Sequence, residues 1–82
     1  MIEILLVDDE ELQLLRLEKV CKNVIPDGDF LSYTNPIKAY EDNKNDKIDL
    51  AFLDIEMPGI NGIQLAKKLK GINPQIKIIF VT

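Results

Sequence analysis

Apolar residues along this 82-residue chain follow two alternating periods, short continuous runs and stretches where they recur every three or four positions. That alternation is the signature of βα units feeding a parallel sheet. The runs predict strands over Ile2–Val7, Asp29–Tyr33, Asp49–Leu53 and Lys77–Val81, and the helical spacing predicts helices over Glu11–Val24, Pro36–Asn43 and Gly62–Lys70. Asn35 is suited to cap the second helix with Pro36 at its first position, and Gly71 and Pro74 are suited to close the third. No internal repeat or low-complexity stretch interrupts the pattern.

The first, third and fourth strands are nearly continuous apolar runs, as expected when helices cover both faces of a sheet, whereas the second is shorter and mixed, as at an edge. The strand order 2-1-3-4 follows. Right-handed crossovers then put the first helix on one face and the other two on the opposite face, with the change of direction between strands 1 and 3. At about 100° per residue, Leu17, Val20, Cys21 and Val24 share one stripe of the first helix, while Leu12 and Leu15 project elsewhere.

Composition narrows the class. With 46% apolar and 29% charged residues the chain reads as one globular unit. A net charge of -4 and a pI near 4.6 argue against direct binding of nucleic acid, which needs a basic face. Lys67, Lys68 and Lys70 read as a solvated helix face. No apolar run approaches the roughly 20 residues of a membrane helix, and a strand begins directly after Met1, so the expected location is the cytoplasm. The single cysteine, Cys21, reads as core packing, and the absence of histidine means that any phosphohistidine belongs to a partner.

The chemistry concentrates at two strand ends. Asp8 and Asp9 follow the first apolar run and Asp54 follows the third. In a parallel sheet the carboxyl ends of neighbouring strands open on one crevice, so three carboxylates meet there and repel one another unless a cation joins them. A hard divalent ion, Mg2+ before others, suits an all-oxygen set. Asp9 is also positioned to cap the first helix.

Three stretches in order, Leu5 to Glu10, Leu53 to Gly62 and Ile78 to Thr82, resemble the receiver (CheY-like) domain of two-component response regulators. The resemblance spans the chain and is closest to regulators with a LytTR-type DNA-binding output. It implies a flavodoxin-like α/β fold, with residues 1–82 as the N-terminal part of a single receiver domain controlling transcription through an output domain. It also implies that Asp54 accepts a phosphoryl group from a sensor histidine kinase, or from a small donor, rather than turning over a substrate as an enzyme does. Asp8, Asp9, Asp54 and the backbone carbonyl of Glu56 would hold Mg2+, and Thr82 would hydrogen-bond a phosphoryl oxygen. Met57-Pro58-Gly59 and Gly62 would shape the loop after strand 3.

A complete receiver continues through helix 4, strand 5 and helix 5, and strand 5 carries a lysine for the phosphoryl group; Lys70 and Lys77 are not expected to replace it. Strand 4 is then an apolar edge, for which pairing with a second copy or exchange of elements is expected. Two other functions fit less well. A haloacid dehalogenase-like Mg2+ phosphohydrolase favours Asp-x-Asp on the first strand, where this chain has adjacent Asp8 and Asp9; an interaction module independent of phosphorylation would not need the three acids.

Overall fold

The apolar runs pair as parallel strands. The computed structural model describes residues 1–81, so the expectation for Thr82 lies outside the described residues. Its elements are β1 (Glu3–Val7), α1 (Glu11–Val24), β2 (Asp29–Tyr33), α2 (Pro36–Asn43), β3 (Leu50–Asp54), α3 (Gly62–Ile72) and β4 (Lys77–Val81). The sheet order is β2-β1-β3-β4 with every pairing parallel, as the pattern predicts.

Alternation of side chains along the strands divides the core in two. Leu5, Val7, Ala51 and Leu53 face α2 and α3, packing with Ala39, Leu65 and Leu69. Ile4 and Leu6 point to the opposite face, where Leu14 and Cys21 of α1 cover them. Ile4, Leu5, Leu6 and Val7 are all fully buried, so β1 is the central strand covered on both sides. The third and fourth strands are covered less completely than their apolar runs imply: Leu50 and Phe52 are half-buried, and Ile79 and Phe80 of β4 are 43% and 42% exposed.

Helix α1 is rotated relative to the stripe read from the sequence. Leu14 and Cys21 are its buried residues, with Leu17 packed beside them, whereas Val20 and Val24 are exposed. Leu14, Leu17 and Cys21 follow the i, i+3, i+7 rule as well as the predicted set does, and α1 packs on β1 and β2, which selects the Leu14-centred face. Leu12 and Leu15 are exposed, as expected.

Two boundaries move for local reasons. The Asp49 carboxylate accepts the Glu3 backbone N–H at 2.9 Å, and β3 proper runs from Leu50 to Asp54, leaving Asp54 as its last residue, paired with Val81. Helix α3 runs through Gly71, and Asn73 rather than Gly71 ends it: the Asn73 N–H donates to the Leu69 carbonyl, while its side-chain amide donates to the Ile48 carbonyl. Asn35 accepts N–H bonds from Ile37 and Lys38 at the start of α2, as predicted. At the start of α3, Asn61 and Gln64 form a reciprocal capping box that the reading of Gly62 as the helix opening passed over.

The loop between β3 and α3 is drawn tightly against the strand. The Gly62 N–H donates to the Ile55 carbonyl at 2.8 Å, and a Cβ on Gly62 would stand 2.2 Å from the Asp54 carbonyl oxygen, with backbone on both sides of the clash. Gly59 has φ +86°, the left-handed region open to glycine. Met57, two residues before Gly59, is buried in the core. Gly62→Ala is therefore expected to destabilise the fold by about 1–3 kcal/mol through forced backbone displacement. Gly71→Ala, whose Cβ meets nothing within 4 Å inside a helix, is expected to stabilise it by about 0.5–1 kcal/mol. Urea denaturation of the two variants checks the opposite signs.

Candidate functional site

Register brings the acids together. Val7 of β1 lies beside Leu53 of β3, so the residues that follow each, Asp8 and Asp54, are neighbours at the carboxyl edge of the sheet. One carboxylate oxygen from each of Asp8, Asp9 and Asp54 can be chosen so that all three lie within 4.8 Å of one another. Asp8 is buried, Asp54 half-buried and Asp9 exposed, so the cluster runs from the sheet edge out to solvent.

Each acid is held by its own element. Asp8 donates its backbone N–H to the Tyr33 carbonyl of β2 at 3.2 Å, and its carboxylate accepts the Glu10 N–H at 2.9 Å. Asp54 is the terminal residue of β3, steadied by the buried Met57 and by the Gly62 contact described above. Asp9 does not cap α1: the cap position is Glu10, which makes no side-chain cap bond. Burial raises the Asp54 carboxyl above the ordinary carboxylate range, and the charge of Asp8 adds to this. The Glu56 backbone N–H opposes the rise, whereas a hydrogen bond and charge from Asp9 reinforce it. The site is therefore strained electrostatically, and three close oxygens with a solvent-facing side are a donor set that fits a small hard divalent cation such as Mg2+.

Above the acids opens a cavity of about 750 Å³. Glu56 lies on its wall with an exposed side chain, and α1 contributes Gln13, Arg16, Leu17 and Val20. The sequence reading passed over Gln13 and Arg16; their spacing with Val20 along one flank of the helix was the available signal. The lysines lie elsewhere. Lys77 begins β4 beside Leu50, at the opposite end of the sheet, and Lys70 donates to the Ile76 carbonyl at 3.2 Å. Cys21 is a buried thiol whose pKa burial pushes up, in keeping with a packing role. Among the described residues no helix is long and apolar enough to cross a membrane.

Residues 4–82 match the family model described as the response regulator receiver domain. Among curated proteins, the transcriptional regulatory protein NatR of Bacillus subtilis is 37% identical over 83 residues, covering 100% of this chain and 35% of NatR. The sensory transduction protein LytT of the same organism is 33% identical over 82 residues, covering 100% of this chain and 34% of LytT. The chain thus spans about a third of the length of these relatives. Among solved structures, the response regulator TrrA in complex with the histidine kinase ThkA aligns with a TM-score of 0.83 at 32% identity, covering 100% of this chain and 69% of that one. TrrA from Thermotoga maritima with Mg(2+)-BeF aligns with a TM-score of 0.84 at 31% identity, covering 98% and 68%.

The raised Asp54 pKa sets the sign of a pH effect. The folded chain holds the Asp54 proton more tightly than the unfolded chain, so ionising it destabilises the fold once the pH rises through the raised value, and has no such effect well below the ordinary 3.8. In EDTA, Asp54→Asn is expected to be more stable than the parent chain near neutral pH, with that advantage fading as the pH falls into the acid range. Urea midpoints measured across pH check it; a constant difference would exclude ionisation as the cause.

Proposed function

The chain belongs to the response regulator receiver domain family, and we propose that it accepts a phosphoryl group on Asp54 in two-component signal transduction. The observation that carries this reading is the meeting of Asp8, Asp9 and Asp54 within 4.8 Å at the carboxyl ends of β1 and β3. An Asp54 carboxylate oxygen attacks the phosphorus of a phosphohistidine on a sensor histidine kinase; the P–N bond breaks, its electron pair stays on the imidazole, and an aspartyl phosphate forms. The complex of TrrA with a histidine kinase supports that class of donor. In a complete domain a small phosphodonor can serve in the same way.

Asp8, Asp9, Asp54 and the backbone carbonyl of Glu56 are the groups proposed to hold Mg2+, and the Mg(2+)-BeF complex of TrrA supports the choice of ion. Bound there, the ion offsets negative charge on the phosphoryl oxygens. Asp8 fixes the geometry through its bonds to Tyr33 and Glu10, and Glu56 offers an N–H that stabilises the ionised, nucleophilic form of Asp54. Thr82 is proposed as the hydroxyl that meets a phosphoryl oxygen. The domain is a signalling acceptor, not an enzyme acting on a separate substrate. The name of NatR, a transcriptional regulatory protein, supports an output that regulates transcription; a LytTR-type DNA-binding output and a cytoplasmic location are part of the same proposal. The acidic chain itself is not the part that grips DNA.

We further propose self-association through β4. Among the described residues its outer edge takes no strand partner, and Ile79 and Phe80 are two-fifths exposed on opposite faces, so strand pairing with a second copy, or exchange of elements, is proposed to shield them.

Two measurements test these proposals. Millimolar Mg2+ is expected to raise the melting midpoint, with Asp54→Asn weakening the effect, and acetyl phosphate with Mg2+ is expected to leave a hydroxylamine-sensitive phosphoryl group on the parent chain and none on the variant. Labelling that survives Asp54→Asn would refute Asp54 as acceptor. Light scattering after size exclusion is expected to give a dimer that Ile79→Lys converts to monomer; a monomer at every concentration would refute the β4 contact.

A further inference from the structure

The cavity over the acidic cluster carries one positive charge. Five carboxylates line it, those of Asp8, Asp9, Glu10, Asp54 and Glu56, and Arg16 is the single basic side chain among them. Arg16 is also uncommitted. The other α1 cation paired on its own helix, Lys22, sits four residues from Glu18 at 3.2 Å. The helical neighbours of Arg16 at three and four residues are Leu12, Gln13, Lys19 and Val20, none of them acidic, and among the described residues it enters no ion pair. A guanidinium stays charged across the whole physiological range, so its field acts on whatever occupies the cavity.

We propose that Arg16 sets the charge balance of this site, weakening its hold on the divalent cation and favouring the anionic phosphoryl group that arrives at Asp54. This rests on the reading of Asp8, Asp9 and Asp54 as the Mg2+ and phosphoryl site. Arg16 touches neither ion as a ligand; it acts through space, and the two effects have opposite signs because the two ions do. A unit charge near a divalent ion, at a separation of about 10 Å in water, changes affinity by about fourfold unscreened and by less than about twofold at physiological salt.

The test is Mg2+ titration by calorimetry on the chain and on Arg16→Gln, Arg16→Lys and Asp54→Asn, at low and high salt, followed by beryllofluoride titration at saturating Mg2+. Arg16→Gln is expected to bind Mg2+ about two- to fourfold more tightly at low salt, with the difference closing at high salt, and to bind beryllofluoride more weakly; Arg16→Lys is expected to match the parent chain. Unchanged Mg2+ affinity in Arg16→Gln at low salt, or weakening of both ions together, overturns the role of Arg16 while leaving the acidic site standing. Equal Mg2+ binding by the parent chain and Asp54→Asn, or none by either, overturns the underlying site and this inference with it.

Discussion

Like charges held closer than they would choose are the constraint on which this molecule turns. Three carboxylates within 4.8 Å repel one another, and only a scaffold that cannot yield keeps them there. The scaffold is the parallel pairing of β1 and β3, whose register of Val7 with Leu53 leaves Asp8 and Asp54 no alternative but adjacency. A slip of one residue would carry the charged Glu3 or Asp8, which flank the run, into a fully buried position, so burial of Ile4 to Val7 fixes the register and through it the acids.

Rigidity at the far side of the site comes from backbone, not side chains. Gly62 packs against the Asp54 carbonyl more closely than any Cβ permits, and its N–H bond to Ile55 turns the chain straight from strand end into helix start. The Asn61–Gln64 box then satisfies the first N–H groups of α3, so the helix begins where the loop ends. Met57 anchors the intervening segment in the core between α2, α3 and the sheet. The result is that the carboxylate whose proton affinity is raised also has its main chain closely packed against Gly62.

Most of this architecture is legible in the residues because the signals are local or periodic. Continuous apolar runs mark the strands, Asn35-Pro36 marks a helix start, and strand ends mark the acids. What escapes is decided by neighbours in space. Val20 and Val24 fit a helical stripe as well as Leu14 does, and only the seating of α1 on β1 and β2 chooses between them. Gly71 reads as a terminator because glycine commonly ends helices, yet the side chain of Asn73, bonded to Ile48 across the fold, outweighs it. Asp9 has the composition of a helix cap, and the path of the chain hands that position to Glu10. The spacing of Arg16 with Gln13 and Val20 marks a helix flank, but that this flank lines the same cavity as Asp54 is decided by the fold.

The same geometry that makes the site chemically useful leaves the chain unevenly covered. Because α1 sits over β1 and β2, the α1-facing side of β3 and β4 presents half-buried Phe52, exposed Ile79 and the apolar wall formed with Val20 and Val81. That apolar wall adjoins the acids in a single cavity, so anything that covers it also lowers the local dielectric around Asp54. Removing water there would strengthen the carboxylate repulsion and the attraction to a divalent cation together, since both scale inversely with the effective dielectric. Burial of this face and charge at the site are thus energetically linked through one volume.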